Sequence, residues 1–107
     1  MLSVVIPAKN EAGNIDALVA RLRPVLDALG MASEVIFVDD GSTDATVERV
    51  RACRREDRRI KLLGLSRNFG KDIAIAAGLR HASGQAVVLM DADLQHPPKL
   101  LHELVAR

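Results

Sequence analysis

Glu34-Val35-Ile36-Phe37-Val38-Asp39-Asp40-Gly41-Ser42-Thr43-Asp44 passes from an apolar run into an acidic turn and then into helical sequence. The run from Glu34 to Val38 has the length and β-branched character of a buried strand. Gly41 permits the turn, and Asp44 is a good N-cap for a helix. Val47, Val50 and Cys53 then recur at helical spacing. The stretch therefore predicts one strand-turn-helix unit.

The same grammar extends in both directions. Leu2 to Ile6, Ile60 to Leu65 and Ala86 to Met90 are further short apolar runs. Ile15, Leu18, Val19, Leu22, Leu26 and Leu29 mark a first helix, with Gly30 as its stop. Pro24 inside that pattern is expected to kink the helix or split it in two. A third helix is expected from about Lys71 to Ala82, ended by Ser83-Gly84, and a fourth from near Pro98. Arg107 comes about ten residues into this last helix, so the expectation is a truncated piece of something longer. Alternating strands and helices predict an α/β domain over 1–107, its mainly parallel sheet flanked by helices.

Composition narrows the class. An apolar fraction of 49% and a charged fraction of 27% are those of a globular chain, not a disordered tail. The net charge of +1 provides no global field for nucleic acid, so no nucleic-acid partner is expected. Arg54, Arg55, Arg58, Arg59 and Lys61 cluster where a helix should end, and cations favour that end of the helix dipole. Cys53 is the single cysteine, which leaves no internal disulfide and points to a reducing cytosol. No apolar run approaches the roughly 20 residues needed to cross a bilayer.

In open parallel sheets, ligands bind beyond the carboxyl ends of the strands. Those ends read Pro7-Ala8-Lys9-Asn10-Glu11, Asp39-Asp40-Gly41-Ser42-Thr43-Asp44, Ser66-Arg67-Asn68-Phe69-Gly70-Lys71 and Asp91-Ala92-Asp93-Leu94-Gln95. Every notable polar cluster thus falls on the one edge where a ligand could meet it. Asp91 and Asp93 lie two apart in extended chain, so both carboxylates can converge. Like charges held together call for a cation. Hard oxygen donors suit Mg²⁺ or Mn²⁺, with the Gln95 carbonyl as a further ligand. Of Asp39 and Asp40, one is expected to face a ligand and the other to be structural, and the sequence leaves the choice open. Arg67 and Lys71 flank a Gly-containing turn at a helix start, where basic groups and free N–H groups could hold phosphate. His81, His96 and His102 have no spacing that suggests a metal site.

These residues resemble a known family. Val5-Ile6-Pro7-Ala8-Lys9-Asn10-Glu11, Val38-Asp39-Asp40-Gly41-Ser42-Thr43-Asp44 and Met90-Asp91-Ala92-Asp93 are similar, in order and separation, to three motifs of the family 2 glycosyltransferases. Ser66 to Lys71 and Asp93 to Pro98 look like the branch that glycosylates polyprenyl phosphate, which includes dolichol-phosphate mannose synthases and bacterial undecaprenyl-phosphate sugar transferases. The resemblance implies a Rossmann-like GT-A fold, a nucleotide-sugar donor and inversion at the anomeric carbon. It implies that Pro7, Ala8, Glu11 and Asp39 or Asp40 line the nucleoside pocket. Asp91, Asp93 and Gln95 would then hold the metal and diphosphate. The implied acceptor is polyprenyl phosphate at a membrane surface, which places the full-length parent in the cytoplasm or on the cytoplasmic face of the membrane. Lys9 departs from the pattern, because many members carry an aromatic residue there.

Other classes fit less well. A nicotinamide-binding fold needs Gly-x-Gly-x-x-Gly after the first strand, and only Gly13 stands near there. A dehalogenase-like phosphatase expects Thr or Val where Gln95 stands. A receiver domain leaves Asp91 and Asp93 together unexplained. A nucleotide-binding module without turnover is the competitor of another class. Apolar surface at Leu100, Leu101 and Leu104 makes self-association a further expectation.

Overall fold

The computed structural model describes residues 1–67 and 69–92, and the helix expected from near Pro98 lies outside the described residues. Among the described residues four strands form: β1 (Leu2–Ala8), β2 (Ser33–Asp39), β3 (Ile60–Gly64) and β4 (Ala86–Leu89). Three helices connect them: α1 (Ala12–Ala28), α2 (Thr46–Glu56) and α3 (Lys71–His81). The sheet order is β3-β2-β1-β4, and every pairing is parallel.

Strand alternation sorts the apolar side chains onto two faces. Leu2, Val4, Ile6, Val35, Phe37 and Ile60 pack with Ile15, Leu18, Leu22 and Val50 of α1 and α2. Val5, Ile36 and Val38 face the other way, onto Ala74 of α3. Both faces of β1 and β2 are covered, so neither strand shows a polar alternation. Each fully buried Leu, Ile, Val or Phe contributes roughly 1.5–3 kcal/mol, and Phe37 is the largest of them here. The small residues of α3 let it approach closely: a Cβ on Gly78 would stand 2.4 Å from Cγ1 of Val5.

Two local expectations are corrected. Helix α1 is not split at Pro24, one of the two outcomes expected there: it continues through this exposed residue, while Leu22 and Leu26 on either side are buried. Packing of the apolar stripe holds the helix, and water can satisfy the carbonyl that Pro24 leaves without a donor. Helix α2 begins at Thr46 rather than at Asp44, with Ala45 in the cap position. Asp44 still serves the helix end, because its Oδ1 accepts the Thr46 N–H at 2.9 Å. Gly30, at φ 67°, ends the first helix as its position predicts.

At the amino ends of the strands, opposite the ligand edge, one charged group is buried. Glu34 is 2% exposed. It accepts the Ser3 hydroxyl at 2.5 Å, the Ser83 N–H at 2.7 Å and the Lys61 ammonium at 2.6 Å. Burial opposes its ionisation, but the bonds from Lys61, Ser3 and Ser83 together prevail and hold its pKa at about 2. The Ser3 oxygen in turn accepts the Gly84 N–H at 2.8 Å. This group ties the α3–β4 turn to three strands.

Candidate functional site

The ligand edge owes its shape to Pro7. In β1 the pairing with β2 runs to Ala8 and Asp39, whereas the pairing with β4 stops at Val5 and Leu89. Pro7 therefore stands past the end of the β1–β4 ladder, where its missing N–H costs no hydrogen bond. The strand order also reverses between β1 and β4, since β2 and β3 lie on one side of β1 and β4 on the other. A crevice at such a reversal is where open α/β sheets bind ligands. A cavity of about 490 Å³ lies there, between Pro7 and Ala8 on one side and Asp91 and Ala92 on the other. Lys9, Glu11, Asp40, Gly70, Lys71 and Ala74 complete its wall.

The loops after β1 and β2 are lashed together. Asn10 adopts a left-handed φ of 55°, a conformation Asn tolerates better than most residues. Its N–H donates to Ser42 Oγ at 3.0 Å, and its Oδ1 accepts the Thr43 N–H at 2.8 Å. The Glu11 N–H donates to Thr46 Oγ1 at 2.9 Å, and the Ala12 N–H to Asp44 Oδ2 at 3.2 Å. Asp44 thus accepts from the first residue of both α1 and α2. The Thr46 hydroxyl, with the N–H groups of Thr46 and Ala12, holds its carboxyl below the usual carboxylate range. Oε2 of Glu11, a residue of the cavity wall, accepts Asn14 Nδ2 at 2.7 Å.

Asp39 and Asp40 separate by position. Asp40 is in the cavity wall, whereas Asp39 is not among the lining residues and its Oδ1 accepts the Ser42 N–H at 3.3 Å. Asp40 also clamps the loop before α3, accepting the N–H groups of Phe69 at 2.8 Å and Gly70 at 3.1 Å. The N–H groups of Phe69 and Gly70, just before the helix, are therefore engaged by a carboxylate of the chain. Gly70, at φ 99°, makes the sharp entry into α3. Lys71 is next, on the first turn, and its Nζ lies 3.0 Å from Oδ1 of Asp91 across the cavity. Arg67 is not brought to the wall; its guanidinium stacks 4.9 Å over the Phe69 ring.

Of the expected metal ligands, Asp91 is described, while Asp93 and Gln95 lie outside the described residues. Asp91 is an oxygen donor at the cavity mouth that already carries a cationic partner, which fits a hard divalent cation in chemistry. Among the described residues, no three His, Cys, Asp or Glu side chains are grouped to hold a metal. No helix among them is long and apolar enough to cross a membrane.

Sequence reasoning missed the Asn10 lashing, the Asp40 clamp and the Lys71–Asp91 pair. Their partners are 20 to 33 residues apart in the chain, and no local pattern signals such contacts.

Comparison with known proteins places the chain. The model of glycosyl transferase family 2 matches residues 3–107. An uncharacterised glycosyltransferase of Synechocystis sp. is 52% identical over 104 residues, 97% of this chain and 33% of that protein. An undecaprenyl-phosphate 4-deoxy-4-formamido-L-arabinose transferase of Salmonella paratyphi B is 41% identical over 107 residues, 99% of this chain and 33% of that protein. The chain therefore spans about a third of the length of these relatives. Among solved structures, residues 1–349 of S. aureus TarS in complex with UDP-GlcNAc superpose with a TM-score of 0.77 at 28% identity, over 98% of this chain and 30% of that one. A mannosyltransferase of Pyrobaculum calidifontis in complex with GDP-Man and Mn²⁺ gives 0.69 at 31% identity, over 86% and 27%.

Proposed function

The chain belongs to glycosyl transferase family 2, and from that premise we propose that it forms the donor-binding part of an inverting transferase acting on polyprenyl phosphate. The observation that carries the reading is the cavity at the β1–β4 reversal, where acidic and basic groups from four strand ends meet. Pro7, Ala8 and Glu11 from the first loop, with Asp39 or Asp40 from the second, receive the nucleoside. Lys71 serves the diphosphate, with Arg67 held in reserve outside the wall. Asp91, Asp93 and Gln95 hold Mg²⁺ or Mn²⁺. The metal, when bound, supplies positive charge that stabilises the departing nucleoside diphosphate. The relative that carries undecaprenyl phosphate in its name, and the neighbours in complex with UDP-GlcNAc and GDP-Man, support this choice of acceptor and donor class.

A phosphate acceptor also simplifies the chemistry. Its second ionisation lies near pH 6, so at neutral pH the attacking oxygen is already largely anionic. A sugar hydroxyl, by contrast, must lose a proton during attack. Such an acceptor calls for charge stabilisation and positioning more than for a base.

Titration of nucleoside diphosphate into the chain tests the site. Binding is expected to be appreciably tighter with Mn²⁺ or Mg²⁺ than with chelator, and Asp93→Asn is expected to abolish the difference. Equal binding with and without metal by a folded sample overturns the assignment.

A further inference from the structure

The cavity carries its own cation. Lys71 Nζ sits 3.0 Å from Oδ1 of Asp91, and the two side chains are 63% and 27% exposed. We propose that this pair is exchangeable: Lys71 neutralises Asp91 until a divalent cation takes the carboxylate, and the freed ammonium then meets the diphosphate. The inference rests on the metal and diphosphate reading above and assigns Lys71 a role in both halves of the event.

Three features support it. First, the pair is made across the cavity by the two groups expected to serve different parts of one ligand. A carboxylate oxygen donated to a divalent cation is not equally available to an ammonium, so the two cations compete for Asp91. Second, lysine is a compact charge on a flexible four-carbon stem, and this one stands on the first turn of α3. Its head can change partner while its backbone stays in place. Third, two of the backbone donors at the entry to this helix are already engaged. Asp40 accepts the N–H groups of Phe69 and Gly70, so a phosphate arriving there finds those two donors engaged. A mobile side-chain cation on the first turn is a means of receiving it that does not depend on those two donors.

The exchange makes opposite-signed predictions for one substitution, which a purely structural role does not. Lys71→Met removes the competitor, so Mn²⁺ alone, titrated into the complete chain and followed by the electron paramagnetic resonance of the free ion, is expected to bind roughly two- to five-fold more tightly than to the unsubstituted chain. In saturating Mn²⁺, UDP is expected to bind about ten-fold more weakly, because a charge-assisted contact to phosphate is gone. Lys9→Met is the control for charge alone, since Lys9 lines the same cavity outside the Lys71–Asp91 pair; it is expected to tighten Mn²⁺ binding clearly less than Lys71→Met does. Circular dichroism verifies that each variant is folded, as expected for an exposed first-turn position. If Lys71→Met binds Mn²⁺ no more tightly, or if Lys9→Met tightens it equally, the exchange is refuted while the metal site stands. If Asp91→Asn binds Mn²⁺ as well as the unsubstituted chain does, Asp91 is no metal ligand and the exchange falls with that reading.

Discussion

Replacing Glu34 with Gln removes one charge from the amino ends of the strands and leaves the shape almost unchanged. The carboxylate is 2% exposed and holds three hydrogen-bond donors, so its ionisation is coupled to folding with little screening by solvent. Its pKa stands at about 2 in the folded chain against an ordinary 4.5. At about 1.4 kcal/mol per pH unit, that gap corresponds to about 3 kcal/mol of stability. A depressed carboxylate stabilises the fold above its unfolded pKa, and the contribution disappears as pH falls through the folded one. The full effect is therefore expected above pH ~5, with progressive loss towards pH ~2. Urea unfolding of Glu34→Gln, followed by circular dichroism at pH 7, is expected to show a loss of about 3 kcal/mol, a large part of the ~5–15 kcal/mol typical of a domain. The two curves of stability against pH should converge on acidification. Lys61→Met is also expected to destabilise the fold, because it strips the buried carboxylate of its cation. A Glu34→Gln loss below 1 kcal/mol at pH 7, or two parallel pH profiles, would refute the reasoning. Because the group is at the far end of the strands from the cavity, UDP affinity of the folded fraction should not change.

Gly78→Ala places a methyl group 2.4 Å from Val5 Cγ1, and is expected to cost ~1–3 kcal/mol by the same unfolding assay, with partial rescue by Val5→Ala. Competition titration is expected to show preference for UDP over GDP, given Lys9 where an aromatic residue often stands; a clear GDP preference counts against the assignment. Ile73, Leu79, Val87 and Leu89 are exposed, so sedimentation of the chain is expected to show self-association at micromolar concentration, and a strictly monomeric sample contradicts this. In the full-length parent, with polyprenyl phosphate as acceptor, Asp93→Ala should lower kcat more than alanine at any single downstream carboxylate. One downstream carboxylate as costly as Asp93, with binding unchanged, would favour a hydroxyl-bearing acceptor.

The fold was legible in the sequence because its elements are local. Apolar runs of strand length, helical spacing from Ile15 to Leu29, and the turn residues Gly30, Gly41 and Gly70 each depend on neighbours within a few positions. The placement of polar clusters at strand ends was legible for the same reason: once the strands are known, so are their carboxyl ends. Three ordered motifs then sufficed to indicate the family that the match over residues 3–107 establishes. A split at Pro24 and a helix start at Asp44 are not what the structure shows, since the tertiary packing of Leu22 and Leu26 and the second partner of Asp44 at Ala12 are not local facts.

What only the tertiary structure decided is which group meets which across the strand ends. Sequence alone could not choose between Asp39 and Asp40, because adjacent residues differ only in the direction they point, and the turn geometry sets that direction. Folding brings Asp40 into the wall and joins it to Phe69 and Gly70, and it brings Lys71 to Asp91 over 20 residues of intervening chain. It also buries Glu34, a residue with no sequence signal of importance, among Ser3, Lys61 and Ser83. Residue type and spacing determine which elements form and at which edge the chemistry collects. Partner choice depends on distances between separate strands and loops, and those come into existence only when the sheet assembles.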